Sequence, residues 1–271
     1  MRVTACELPH EPNVLAAAWA KLCEHSWRHE SELVLLPELA MVEPLWDAPA
    51  FDAARWERAE EASERWLALL RELHARQVIG TGPITIGGKR YNQGFCWSAS
   101  DGLRPLRRKF HLPSQPGEWE TRWFDRGDAE FPEFRSGELV FGLNICSELW
   151  ALESYAGYAA GDAQVIFAPR ATAAATVAKW LAVGVVAAVR SGAYCVSSNR
   201  VDAAGNCGGV GWIISPDGTI LATTSAATPC ITVDLDLAAP AAARRSYPRY
   251  LFNGPGPTAA QGDFAERRRI A

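Results

Sequence analysis

Three short stretches of this 271-residue chain carry groups able to do covalent chemistry. LNICSELW, residues 143–150, runs from apolar residues onto Cys146; LLPELA, residues 35–40, sets Glu38 just past a second apolar run; LRRKFHLP, residues 106–113, sets Lys109 after a third. A thiol attacks as its thiolate, and with a reference pKa of about 8.5 it needs a base or a nearby cation at neutral pH. A carboxylate can take that proton, and an ammonium can stabilise the oxyanion formed when sulfur adds to a carbonyl or nitrile carbon. Taken singly, each residue has a plainer reading. Cys146 could be a small core hydrophobe, Glu38 a cap on the following turn, and Lys109 part of a solvated basic patch with Arg107 and Arg108.

The elements that must position these residues are legible in the hydrophobic pattern. RVTACEL and the mostly apolar SELVLLPEL read as strands, the second suited to a sheet buried on both faces. Between them, NVLAAAWAKLCEHSW puts Val14, Ala18 and Leu22, with Leu15 and Trp19, at helical spacing behind Pro12. DAARWERAEEASERWLALLRELHARQ predicts one long amphipathic helix with Trp56, Ala59, Trp66, Leu70 and Leu73 near one face. QVIGTGPITIG, YNQGFCWSA and GLRPLRRKFH follow as strands divided by glycine-containing turns.

The second half repeats the rhythm. ELVFGLNIC is a strand, ALESYAGYAAG a short helix, AQVIFAPRA a strand and VAKWLAVGVVAAVRSGA a helix. YCVSSNRV, GVGWIISPDG, TILATTS and CITVDLDL are then strands, with PDG a tight turn. Two strand-rich halves with helices for cover predict an α/β fold of two sheets packed face to face, a four-layer α-β-β-α sandwich. The late run of strands without intervening helices weighs against an ordinary doubly wound sheet. Glu38, Lys109 and Cys146 each fall at or just beyond a strand end, where loops on a rigid sheet gather functional groups. Residues 1–271 are expected to form one domain, with about 240–271, rich in Ala, Pro, Gly and Arg, as a tail over the body or a neighbouring subunit.

With PEL around the glutamate, RRKFHLP around the lysine and a strand ending in the cysteine, in that order, the chain resembles the nitrilase superfamily of carbon-nitrogen hydrolases. EWETRWFDRGD looks like that family's second-glutamate loop, with Glu120 three residues before Trp123-Phe124 and Gly127 closing the turn. GDAQVIFAPRA, KWLAVGVVAAVRSGAYCVSSNRV and GWIISPDGTILA look like its later strand, long helix and final hairpin, so that the likeness runs from about residue 3 to 237. The resemblance implies a Glu38-Lys109-Cys146 triad. Glu38 would act as the base, Lys109 and the backbone N–H of Ser147 would stabilise the oxyanion, and a thioester on Cys146 would be hydrolysed by water. Glu120, with Glu118 as its competitor, would bond Lys109 or position the substrate. His111 would be a structural member of its stretch.

Several positions depart from the family's pattern. Ser147 stands where many members carry an aromatic residue, Trp150 where they carry an arginine, and Ala193 where they often carry a glutamate. These changes blur any transfer of specificity among amide, nitrile and N-carbamoyl substrates. Arg170, where AQVIFAPRA meets its loop, is the expected compensating cation for a substrate carboxylate, against the alternative of a surface or subunit-bridging arginine. Trp150 and Trp119 are expected to narrow the pocket.

The bulk properties exclude other classes. A net charge of −4 offers no basic surface for nucleic acid, and the ERRR run at 266–269 reads as a solvated or subunit-bridging tail. The seven cysteines are scattered without a CxxC pair and the five histidines lack ligand spacing, so neither a disulfide framework nor a metal is expected, and the family resemblance implies no other cofactor. MRVTACELPHEP lacks the pattern of a signal peptide, and no apolar run approaches membrane-spanning length by this reading; a cytoplasmic protein is the expectation. The family likeness implies a homodimer or higher homo-oligomer. The competing reading of another class is a non-catalytic interaction protein on the same fold, disfavoured by the intact Glu38, Lys109 and Cys146.

Overall fold

The structure, a computed structural model, describes residues 1–253. Six strands form one sheet in the order β5-β4-β3-β2-β1-β12: β1 (Arg2–Leu8), β2 (Leu33–Leu35), β3 (Gln77–Ile86), β4 (Lys89–Ser98), β5 (Gly102–Arg108) and β12 (Cys230–Asp234). The other six are β6 (Phe134–Ser136), β7 (Leu139–Leu143), β8 (Val165–Arg170), β9 (Tyr194–Arg200), β10 (Trp212–Ile214) and β11 (Ile220–Thr223), paired in chain order. The two sheets join where β1 meets β9 in parallel, Glu7 opposite Asn199 and Leu8 opposite Arg200.

Alternation along the strands builds the layers, because successive side chains point to opposite faces. Val3, Ala5, Leu33, Leu35 and Ile79 from the first sheet pack with Phe141, Leu143, Val165, Phe167 and Val196 from the second, filling the space between them. The opposite face of the first sheet, with Cys6, Leu8, Val34, Leu36 and Val78, is covered by Leu15, Trp19 and Leu22 of α1 (Pro12–Arg28). Ile166, Ala168, Cys195, Trp212 and Ile214 on the far side of the second sheet meet Tyr155 and Tyr158 of α4 (Ser154–Ala160), as well as Val183, Ala187 and Ala188 of α5 (Val177–Ser191). The four-layer α-β-β-α sandwich is thus the observed architecture.

Local departures have physical causes. The long helix expected over 52–77 stops at Leu67 as α2 (Ala53–Leu67), and a 3-10 turn at Leu70–Leu73 follows. That bend lets Leu70 and Leu73 pack with Leu15, Trp19 and Leu22, while Trp19 donates to Glu72 at 3.3 Å. The strand expected to end on the thiol stops three residues earlier, at Leu143. Residues Ala174–Ser191 overturn the expectation about apolar runs: by length and composition they could cross a membrane, with mean hydropathy 1.4 and 28% of the stretch buried. In the fold, their Val183, Gly184, Ala187, Ala188 and Ser191 form the buried stripe that packs on the second sheet.

The end of the described chain docks on the body through α6 (Ala239–Arg244). Buried Arg249 donates to the Ala243 carbonyl at 2.6 Å, the Pro216 carbonyl at 3.0 Å and Asp217 at 2.7 Å. The ERRR run at 266–269 lies outside the described residues.

Candidate active site

Strand direction gathers the three sequence candidates at one end of the sandwich. β1, β2 and β3 are mutually parallel, and the two antiparallel steps from β3 to β4 to β5 return β5 to the same direction. Glu38 follows β2 by three residues, Lys109 follows β5 directly, and Cys146 follows β7 by three. Backbone bonds fix each. Glu38 N–H donates to the Arg170 carbonyl at 3.2 Å, Lys109 N–H to the Asn92 carbonyl at 3.0 Å, and Gly127 N–H to the Lys109 carbonyl at 2.9 Å. Gly127 has to be glycine: a Cβ there would stand 2.3 Å from the Arg108 carbonyl oxygen.

At the centre, the Lys109 ammonium donates to Glu38 Oε1 at 2.8 Å and to Glu120 Oε1 at 2.7 Å, all three groups being buried. Asn92 Nδ2 also donates to Glu38 Oε1, at 2.9 Å. Glu120 opens the one-turn helix α3 (Glu120–Trp123), and its Oε2 has no partner among the described residues. Glu118, the alternative, is exposed and accepts from Gln115 Nε2 at 2.7 Å.

Cys146 is buried and has φ +51°, a left-handed conformation that side chains rarely adopt and that tends to mark functional turns. Burial, and next the negative charge of Glu38, push its thiol well above the ordinary range, while Lys109 and a backbone hydrogen bond from Ala171 favour the thiolate. Burial would discharge Lys109, but Glu120 and Glu38 outweigh it and hold the ammonium charged well above its usual range. Burial lifts Glu120 to about 8 against the pull of Lys109.

The turn at Cys146 is held by a residue that sequence reasoning missed. Glu148, fully buried, accepts from Ile145 N–H at 3.1 Å and Phe110 N–H at 2.8 Å, and pairs with the Arg107 guanidinium. Its signal was its position, a carboxylate two residues past the thiol with an arginine two residues before the lysine. Asn92 had no such signal in YNQGFCW.

A cavity of ≈ 870 Å³ opens over the thiol, with Cys146, Ser147 and Glu120 in its wall and Trp46, Trp150 and Trp180 among its sides. Ser147 Oγ donates to the His111 carbonyl at 2.5 Å, and Trp150 meets Trp180 edge to face at 5.7 Å. The His111 side chain is exposed and stacks toward Phe131. Two expectations for the pocket do not match the geometry. Trp119 is half-buried outside the cavity wall, its backbone N–H donating to the Trp46 carbonyl at 2.7 Å, and Trp46 supplies that wall.

Arg170 is the second. It is 0% exposed and does not line the cavity. Its guanidinium donates to Ser197 Oγ at 2.6 Å, Thr172 Oγ1 at 2.7 Å and the Val210 carbonyl at 2.6 Å, and lies 3.9 Å from the Trp212 ring centre. A strand-end arginine followed by small residues was free to turn inward, and the Trp212 ring gave it a seat. No group of three or more His, Cys, Asp or Glu among the described residues is arranged to hold a metal ion.

A sequence model of the family described as carbon-nitrogen hydrolase matches residues 2–245. The chain belongs to the carbon-nitrogen hydrolase family. As a carbon-nitrogen hydrolase it shares its fold with a carbon-nitrogen hydrolase from Helicobacter pylori G27, at TM-score 0.81 and 18% identity, covering 93% of this chain and 94% of that one. It likewise resembles an amidase from Nesterenkonia sp., at TM-score 0.73 and 19% identity, covering 87% of this chain and 90% of that one. Among curated proteins it is 36% identical over 66 residues to an N-carbamoylputrescine amidase of Solanum lycopersicum. That match spans 24% of this chain and 22% of the relative's length.

Proposed function

We propose that this carbon-nitrogen hydrolase is a cysteine-dependent amidohydrolase that cleaves a linear, non-peptide C–N bond of a small molecule without a cofactor. The observation that carries the reading is the Lys109 ammonium, 2.8 Å from Glu38 and 2.7 Å from Glu120, in a buried unit whose charges act on the Cys146 thiol.

The chemistry follows from those groups. Because the thiol is held protonated in the resting site, the nucleophile forms only as it attacks: its proton passes to Glu38 while sulfur bonds to the substrate carbonyl carbon. Negative charge develops on the carbonyl oxygen, where Lys109 and the Ser147 backbone N–H stabilise it. Glu38 returns the proton to the nitrogen, the C–N bond breaks, and ammonia or an amine leaves a thioester on Cys146. Water then gives a proton to Glu38 and adds to the thioester carbon; the C–S bond breaks, sulfur regains the proton, and the acid departs. The unpartnered Glu120 Oε2 is the free polar atom available to the scissile group.

An N-carbamoyl substrate is the second reading, supported by the short match to N-carbamoylputrescine amidases. Attack on the ureido carbon would release an amine and a carbamate that breaks down to ammonia and carbon dioxide. Ammonia release from a panel of aliphatic amides, ω-amides, nitriles and N-carbamoyl amines, with Cys146→Ala beside it, tests both. Turnover lost in the variant supports the thiol mechanism and names the substrate class; turnover kept in the variant overturns it. Silence across the panel would favour the interaction-protein reading.

A further inference from the structure

Resting on the amidohydrolase reading, we propose that the cavity selects substrates whose far end carries a positive charge, such as an alkylammonium, and disfavours those ending in a carboxylate. The argument begins with what lines the opening. Glu11, Glu43, Asp47, Glu118 and Asp202 contribute carboxylates to its wall, against the cations of Arg55 and Lys179. Arg55 is already committed, pairing with Asp47 at 2.9 Å. Glu43, Glu118 and Asp202 form no ion pair among the described residues; Asp202 accepts instead from the backbone N–H groups of Asn206 at 3.0 Å and Cys207 at 2.9 Å. The two loops bearing Glu43 and Glu118 are stitched together by the bond from Trp119 N–H to the Trp46 carbonyl.

Other features of the wall bear on this reading. Glu120, a residue of the same wall only 6% exposed, leaves its Oε2 unpartnered among the described residues, a polar atom that a substrate group could bond. The buried arginines that could have met a carboxylate are turned into the protein: Arg170 as described, and Arg200 onto the carbonyls of Leu39 at 2.9 Å and Val42 at 2.8 Å. Trp46, Trp150 and Trp180 add aromatic surface to the wall, and two of these rings already sit near protein cations, Arg200 at 5.4 Å from the Trp46 ring centre and Arg170 at 6.0 Å from that of Trp180. Single exposed carboxylates are worth little each, but several of one sign around a low-dielectric cleft focus the field within it.

The test reads charge selectivity apart from turnover. In the full chain, Cys146 is labelled with aminoethyl, ethyl and sulfonatoethyl methanethiosulfonate, each rate divided by that reagent's rate with 2-mercaptoethanol, and Cys146→Ala corrects for other thiols. The cationic reagent is expected to exceed the anionic one by roughly tenfold at low salt, with the gap shrinking in 1 M salt, where the screening length is ~3 Å. A Glu43→Gln/Glu118→Gln double variant, both positions exposed, should narrow the gap at least about twofold. Equal normalised rates, or a gap the variant leaves unchanged, would overturn the proposal. Hydrolysis of 5-aminopentanamide, hexanamide and 6-amino-6-oxohexanoate completes it, with kcat/KM expected in that order. Equal values for all three would sink the charge preference and leave the amidohydrolase reading standing. A labelling gap without any turnover would do the reverse.

Discussion

Arg107 and Glu148 form an ion pair buried at 2% and 0% exposure, joining the end of β5 to the turn after β7. Lys109 lies two residues past the arginine and Cys146 two residues before the glutamate, so the pair sets the spacing between cation and thiol. The Arg107 guanidinium also lies 4.2 Å from the Phe131 ring centre. Removing one partner strands the other charge. Glu148→Ala is expected to cost about 3–5 kcal/mol in denaturant unfolding, and Glu148→Gln less, since its one carbonyl oxygen still accepts from either Ile145 or Phe110. For the glutamine variant kcat should fall at least tenfold with KM changed little; an unchanged kcat would remove the positioning role.

Cys146 should behave as a thiol held back by its surroundings. With burial and Glu38 raising its ionisation well above the usual range, alkylation by neutral iodoacetamide should climb about tenfold per pH unit from pH 6 to 9 without levelling. A plateau below pH 8 would mean a preformed thiolate and would contradict attack coupled to proton transfer.

Glu120 ties stability to pH. Its folded value of about 8 lies above the ordinary carboxylate value of 4.5, so the native state binds more protons than the unfolded chain between those limits. This contribution is complete below pH 4.5 and is lost as pH rises through 8. Glu120→Gln keeps the acceptor for Lys109 but cannot ionise. Its stability relative to the parent should therefore improve from pH 5 to 8, by up to about 1.4 kcal/mol per pH unit. A flat difference in urea unfolding across that range would show that Glu120 is already ionised at the lower end.

Arg170 is a scaffold residue by geometry, and its substitution should reveal that. Arg170→Ala leaves Ser197 Oγ and the Val210 carbonyl without this donor, Thr172 Oγ1 with Asn199 alone, and opens space beside Trp212, at an expected cost of about 3 kcal/mol or more. Residual activity should fall by the same factor for carboxylate-bearing and neutral amides. A selective rise in KM for the carboxylate substrate would restore the sequence-based role.

Sequence alone fixed a good deal here, because periodicity and strand-end position are local properties. The alternation in RVTACEL and the apolar run of SELVLLPEL decide which faces are buried. The same patterns carry Glu38, Lys109 and Cys146 to strand ends, and the two-part rhythm of strands and helices gives the four layers. Glu120 was singled out by the family likeness of EWETRWFDRGD and not by periodicity.

What the tertiary structure decided is direction and company. Whether Arg170 turned outward or inward depended on Trp212, Ser197 and Val210, which stand 27 to 42 residues away in the chain. Glu148 and Arg107 meet across 41 positions, and no local pattern marks either as the other's partner. The wall of the cavity is assembled from loops and helix ends spread between residues 10 and 207, so its charge is a property of the assembled site. Side-chain propensity acts over a few residues; burial of a charge is set by whatever the fold brings beside it, and that is why the strand-end positions of the candidate groups were legible and their surroundings were not.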